Sequence, residues 1–83
     1  MIDLLNFLTK NIVSNPEAVA IEEQDSTTFD GHSSKVYIIS VDESDTGIVI
    51  GKGGQTIKAI RNLVKVKAVN LGTYVDVRLK EKS

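Results

Sequence analysis

The chain opens with apolar residues at Leu5, Leu8 and Ile12, spaced i, i+3, i+7, and Ile2, Leu4 and Val13 widen that stripe. The pattern predicts an amphipathic helix over Ile2–Val13 that packs on a core. Its polar face holds one lysine, Lys10, too little charge for a membrane-surface helix. The helix must stop near Asn15, because the residue before Pro16 is biased away from the α region and Asn is comfortable at a helix end.

Ala18–Gln24 and Lys35–Val41 predict strands, the second rich in β-branched and aromatic residues: Val36, Tyr37, Ile38, Ile39 and Val41. Asp30 and Gly31 mark the turn between them. The stretch Asp25–Ser34 is longer than a tight turn needs, so a moderately long antiparallel hairpin that frays or bulges near its turn is expected. The acidic patch Asp42–Asp45 then precedes Thr46, Gly47 and the apolar trio Ile48, Val49 and Ile50, as at the start of a short helix.

From about Gly54 to Asn70, Ile57, Ile60, Val64, Ala68 and Leu71 share one stripe at about 100° per residue. The local alternation of VKVKAV would also suit a strand, but the wider count favours a long helix. Gly72 stands where a left-handed cap is expected. Tyr74–Leu79 closes the pattern as a strand, with Val75, Val77 and Leu79 facing inward and alternating with Tyr74, Asp76, Arg78 and Lys80, which face water. The predicted order is α-β-β-α-α-β.

At 83 residues, with one proline and no low-complexity run, the chain has room for a single α+β domain, residues 1–83. It has no cysteine, which removes disulfides, thiol nucleophiles and thiolate metal sites, and the lone His32 cannot anchor a metal cluster. No apolar run approaches the roughly 18 residues of a membrane span, and the N-terminus lacks signal-peptide character, so a cytoplasmic location is expected.

Charge is split along the chain. Residues 1–46 carry nine acids and two bases, or −7, whereas residues 47–83 carry eight bases and two acids, or +6. A solvating half and a phosphate-facing half would produce this division. Lys58, Arg61 and Lys65 recur at i, i+3, i+7 on the long helix, beside its apolar stripe.

Gly51, Gly53 and Gly54 surround Lys52 directly before that helix. Glycine lets a loop take positive φ and lets another molecule's backbone approach closely. Unpaired N–H groups and the dipole of the helix N-terminus favour a phosphate there. A nucleotide-triphosphate loop is excluded by spacing, since only three residues separate Gly47 from Gly51 and Gly53, not Ser or Thr, follows Lys52.

The run Ile48, Val49, Ile50, Gly51, Lys52, Gly53, Gly54, with Ile57 and Ile60 beyond it, resembles the GXXG signature of the KH domain family. The element order is similar to the type II arrangement, in which three helices cover a three-stranded mixed sheet, and the likeness spans nearly the whole chain. It implies a small stand-alone bacterial KH protein acting as an RNA chaperone or post-transcriptional regulator. The GXXG loop would clamp the backbone of about four single-stranded nucleotides.

On that resemblance the RNA-binding residues are Ile48, Ile50, Gly51, Lys52, Gly53, Gly54, Gln55, Ile57, Lys58, Arg61 and Lys65. The isoleucines would line the groove for bases, the second strand would form its far wall, and the cations would track phosphates. The implied partners are single-stranded RNA and either a second copy of the chain or a larger multidomain KH protein; no cofactor, metal or membrane is implied. Gly53 departs from the cation or polar residue many family members carry, leaving the loop one positive charge.

Phe7, Phe29, Tyr37 and Tyr74 are scattered and read mostly as core or strand residues, so a stacking platform is not expected. An enzyme is not expected either, since the carboxylates cluster away from the glycine loop without a histidine or metal beside it. The alternative reading is a protein-interaction or dimerisation module. Leu63, Val66 and Val69 lie away from the buried stripe by helical phase and would leave apolar surface for a partner.

Overall fold

The computed structural model describes residues 1–27 and 29–80. Helix α1 (Ile2–Lys10) is followed by strands β1 (Ala20–Thr27) and β2 (Ser33–Ser40), then helices α2 (Thr46–Ile50) and α3 (Gln55–Asn70), and strand β3 (Tyr74–Leu79). The expected order of elements is observed. The sheet runs β1-β2-β3, with β2 antiparallel to β1 and parallel to β3.

The helices cover one sheet face. Leu5 of α1, Ile60 and Val64 of α3, Tyr37 and Ile39 of β2 and Val77 of β3 form one buried cluster. Ile57, Val75 and Leu79 pack at its margin.

α1 ends three residues earlier than its apolar pattern suggests. Asn11 caps it, its side-chain Nδ2 donating to the Phe7 carbonyl at 2.6 Å, and Ile12 N–H turns back to Thr9 C=O at 3.1 Å. Pro16–Ala18 forms a 3-10 turn, which moves the start of β1 from Ala18 to Ala20.

The hairpin neither frays nor bulges among the described residues. Its register stays constant from Ala20↔Ser40 to Thr27↔Ser33. Lys35, between Glu23 and Asp25 across the strand pair, ties the distal half together. Thr28, within the stretch expected to loosen, lies outside the described residues.

Two other expectations are corrected. Leu71 belongs to the stripe by phase, yet it is 61% exposed because the helix ends before it. Gly72 at φ 70° closes α3, with Thr73 N–H bonded to Ala68 C=O and Gly72 N–H to Val69 C=O, and this closure turns Leu71 outward. Among the aromatic residues Tyr37 is in the core and Tyr74 is an exposed residue of β3, as expected, whereas Phe7 on α1 and Phe29 are exposed and lie outside the strands.

Asp45 connects the first helix to the second. Its carboxylate is buried and accepts the backbone N–H groups of Ser14 and Asn15, each at 3.0 Å, and Asn15 Nδ2 at 3.2 Å. The Ser14 hydrogen bond, helped by those of Asn15, holds its carboxyl below the usual aspartate range. The chain after α1 is thereby tied to the start of α2, the helix that delivers the glycine loop.

Candidate nucleic-acid interface

Val49 anchors α2 by complete burial, which turns its neighbours toward the surface. Ile48 is 47% exposed, and Ile50 and, at the start of α3, Ile57 are half-buried. α2 then ends at Gly51, whose N–H donates to Gly47 C=O at 2.9 Å.

Gly51 lies at φ 76°, ψ 171°, a region essentially confined to glycine. A Cβ there would also stand 2.8 Å from the Thr56 backbone nitrogen. Gly53 (φ 64°, ψ 21°) and Gly54 (φ 76°, ψ 13°) are left-handed, with open space where a Cβ would project. All three loop glycines thus take positive φ, but Gly51 is held to glycine by contact as well as by torsion.

Lys52–Gly54 makes a single 3-10 turn, closed by Gly54 N–H on Gly51 C=O at 3.1 Å. It opens directly into the 16-residue α3, whose N-terminus has no side-chain cap. The first-turn amides of such a helix lack intrahelical acceptors, and its dipole is positive at that end. Lys52 and Gln55 are exposed beside these donors.

Along α3, Lys58, Arg61 and Lys65 are all exposed, and Lys58 and Lys65 lie about 10 Å apart along the axis. Lys52, Lys58 and Lys65 form no salt bridge among the described residues. Arg61 differs: its Nε donates to the Val77 carbonyl on β3 at 2.9 Å. The N–H of Val77 donates to Asp76 Oδ1 at 2.9 Å, and Arg78 Nε donates to Asp76 Oδ2 at 3.1 Å.

The strand order changes one wall of the expected groove. Both edges of β2 are paired, so the open rim beside α3 belongs to β3. It also separates charge, since Glu22, Glu23 and Asp25 are exposed on β1, at the opposite edge of the sheet. At the far end of α3 from the glycine loop, Lys65 reaches a surface cavity of about 390 Å³ shared with Ala68, Val69, Tyr74, Val75 and Asp76.

The structure therefore brings Ile48, Ile50, the glycine loop, Gln55 and Ile57 together at the α2–α3 junction and continues from them into the Lys58–Arg61–Lys65 stripe. Thr56 and Asp76 escaped the sequence reading. Thr56 matters because its side chain and its backbone nitrogen crowd the place a Gly51 Cβ would take, and Asp76 reads in the sequence only as a water-facing residue of the last strand.

A family model described as the KH domain of KhpA and KhpB matches residues 2–79. The chain belongs to this KH family. The RNA-binding protein KhpA of Thermotoga maritima is 44% identical over 64 residues, covering 77% of this chain and 79% of that protein. The RNA-binding protein KhpA of Chlamydia caviae is 37% identical over 81 residues, covering 98% of this chain and 97% of its own.

Among solved structures, Era of Aquifex aeolicus bound to GDP·AlF4− matches with a TM-score of 0.69 at 20% identity. Era in complex with MgGDPNP and a segment of 16S ribosomal RNA matches with a TM-score of 0.70 at 21% identity. Each match covers 93% of this chain but 28% of the Era chain. These likenesses establish a shared KH-type fold. No helix among the described residues is long and apolar enough to cross a membrane.

Proposed function

We propose that this chain binds single-stranded RNA, with the Gly51–Gly54 loop gripping the sugar-phosphate backbone. The observation that carries the reading is the loop itself: positive-φ glycines that leave no side chains except Lys52 in the way, set on the uncapped N-terminus of α3. The name RNA-binding protein carried by the KhpA relatives supports it.

In this reading, Lys52, the α3 amides and the cations Lys58 and Lys65 hold phosphates. Ile48, Ile50 and Ile57 offer apolar surface to the bases, and Gln55 borders the loop. The chain acts as one domain in the cytoplasm, as an RNA chaperone or post-transcriptional regulator that catalyses no reaction. The test is a titration with labelled single-stranded RNA at several salt concentrations. Three freely available lysines predict a slope of log affinity against log salt of about −2; binding indifferent to salt would contradict the phosphate assignment.

A second reading concerns protein partners. Leu63, Val66 and Val69 are 54%, 63% and 75% exposed along one side of α3. That strip would suit a second copy of the chain or a larger multidomain KH protein, either alongside RNA binding or in its place.

A further inference from the structure

Helix α2 carries Ile48 and Ile50 and leads into the glycine loop, yet its five residues are far fewer than a helix needs to persist by itself in water. Its place must come from packing and from ties at its ends. Val49 is fully buried, and Asp45, one helical turn earlier, falls on the same side and is 1% exposed. Gly47 and Ile48 are left exposed.

An aspartate at the start of a helix ordinarily accepts from that helix's own second or third amide. Asp42 does this for the turn before α2, taking Ser44 N–H at 2.9 Å. Asp45 makes no such cap on α2. Its carboxylate turns to the chain after α1, where one oxygen accepts Ser14 N–H and the other accepts Asn15 N–H and Asn15 Nδ2. Directly beyond, Pro16 opens a 3-10 turn in which Ala18 N–H bonds to Asn15 C=O at 3.0 Å, so the tie ends on a braced segment. Without it, Val49 is the one fully buried residue of α2, a pivot about which Ile48, Ile50 and Gly51 can turn, whereas α3 stays held by Ile60, Val64 and Ala68.

We propose that Asp45 is a positioning residue for RNA binding: by fastening the start of α2 to Ser14 and Asn15 it holds the Gly51–Gly54 loop, Ile48 and Ile50 in their working arrangement before RNA arrives. This rests on the RNA-binding reading above and adds a residue that is buried away from the ligand. The sign of the effect sets it apart from electrostatics. By charge alone, removing an acid strengthens the binding of a polyanion. Loss of the arrangement weakens it, because the measured affinity falls with the fraction of protein that is ready to bind.

The experiment titrates one labelled single-stranded RNA, at several salt concentrations, with the parent and four variants shown by circular dichroism to be folded. Asp45→Asn leaves a single acceptor oxygen for two backbone N–H groups and places an amide donor against one of them. Asn15→Ala removes one hydrogen bond of the tie without changing the charge. Glu43→Gln makes the same charge change as Asp45→Asn on an exposed neighbour. Ile39→Val lowers stability by removing a core methyl group away from the loop. Asp45→Asn is expected to bind roughly tenfold more weakly, as when the arranged fraction falls to about a tenth. Its salt slope stays that of the parent, since no phosphate contact is lost. Asn15→Ala weakens binding less, Glu43→Gln binds as well as the parent or better, and Ile39→Val binds as the parent does. Hydrogen exchange of the Gly51 amide, which bonds to Gly47 C=O across α2, accelerates in Asp45→Asn more than exchange in the middle of α3.

Folded Asp45→Asn and Asn15→Ala proteins that bind as tightly as the parent would overturn the inference. So would an equal weakening in Ile39→Val, which would reduce the effect to general stability. If Asp45→Asn does not fold, Asn15→Ala decides by the same criterion. A Lys52→Asp, Gly53→Asp protein run in parallel separates the two levels. If it binds as the parent does, or if the parent does not bind, the underlying reading fails and the inference falls with it.

Discussion

Gly51→Ala places a methyl group where the chain has neither the torsional freedom nor the space for one. The torsion itself, φ 76° and ψ 171°, costs a side-chain-bearing residue about 1–3 kcal/mol. The Cβ would also meet the Thr56 backbone nitrogen at 2.8 Å, in the first turn of α3, and overpacking of that kind adds about 1–3 kcal/mol. The combined effect is about 4 kcal/mol, a large share of the roughly 4–12 kcal/mol expected for a domain of this length. Gly54→Ala meets no atom within 4 Å and bears only the left-handed penalty of about 1–2 kcal/mol. At about 4–8 °C per kcal/mol, thermal unfolding followed by circular dichroism should fall by roughly 20 °C for Gly51→Ala and by roughly 8 °C for Gly54→Ala. Gly54→Asn should lose less than Gly54→Ala, because Asn enters the left-handed region more readily. An equal or smaller loss for Gly51→Ala than for Gly54→Ala would refute the geometric argument.

Thr9 is fully buried in α1 and its hydroxyl has no hydrogen-bond partner among the described residues, so Thr9→Val should stabilise the fold by about 1 kcal/mol; a lower unfolding temperature would show that the hydroxyl is satisfied. Because the hydrogen bonds from Ser14 and Asn15 hold the Asp45 carboxyl below the usual aspartate range, its contribution is complete above the unfolded pKa and is lost as pH falls through the folded one. Asp45→Asn should therefore be less stable than the parent at neutral pH, and the gap in unfolding temperature should narrow under acid; a constant gap would contradict the clasp. If Leu63, Val66 and Val69 form an interface, Val66→Asp with Val69→Asp should lower the apparent mass in sedimentation, and an unchanged mass would remove the interaction reading.

The elements most legible in the sequence are those in which one local pattern decides the outcome. Val75, Val77 and Leu79 alternate cleanly and form β3, and the Ile57–Ala68 stripe packs α3 as its period requires. The glycine loop was legible because positive φ is a property of residue type. What escaped depended on partners distant in the chain or on how an element ends. Leu71 has the right phase but lies beyond the last helical turn, and Asn11 stops α1 although Ile12 and Val13 continue its apolar pattern. Asp45 reads as a solvated acid until the chain after α1 is folded onto it, 30 residues away in sequence from Asn15. Arg61 looks like its lysine neighbours until β3 brings the Val77 carbonyl within 2.9 Å.

The central claim is that the Gly51–Gly54 loop holds an RNA backbone, and the measurement that tests it most directly uses Lys52→Asp combined with Gly53→Asp. Gly53 is left-handed with nothing within 4 Å of a Cβ, a setting Asp tolerates, so the variant should keep the parent's circular dichroism spectrum and melt cooperatively. Titrated with the same labelled single-stranded RNA at low and moderate salt, it replaces the loop's one cation with two anions and should lose binding that the parent shows in a salt-sensitive form. A folded variant that binds as tightly as the parent would place the RNA site elsewhere and contradict the account.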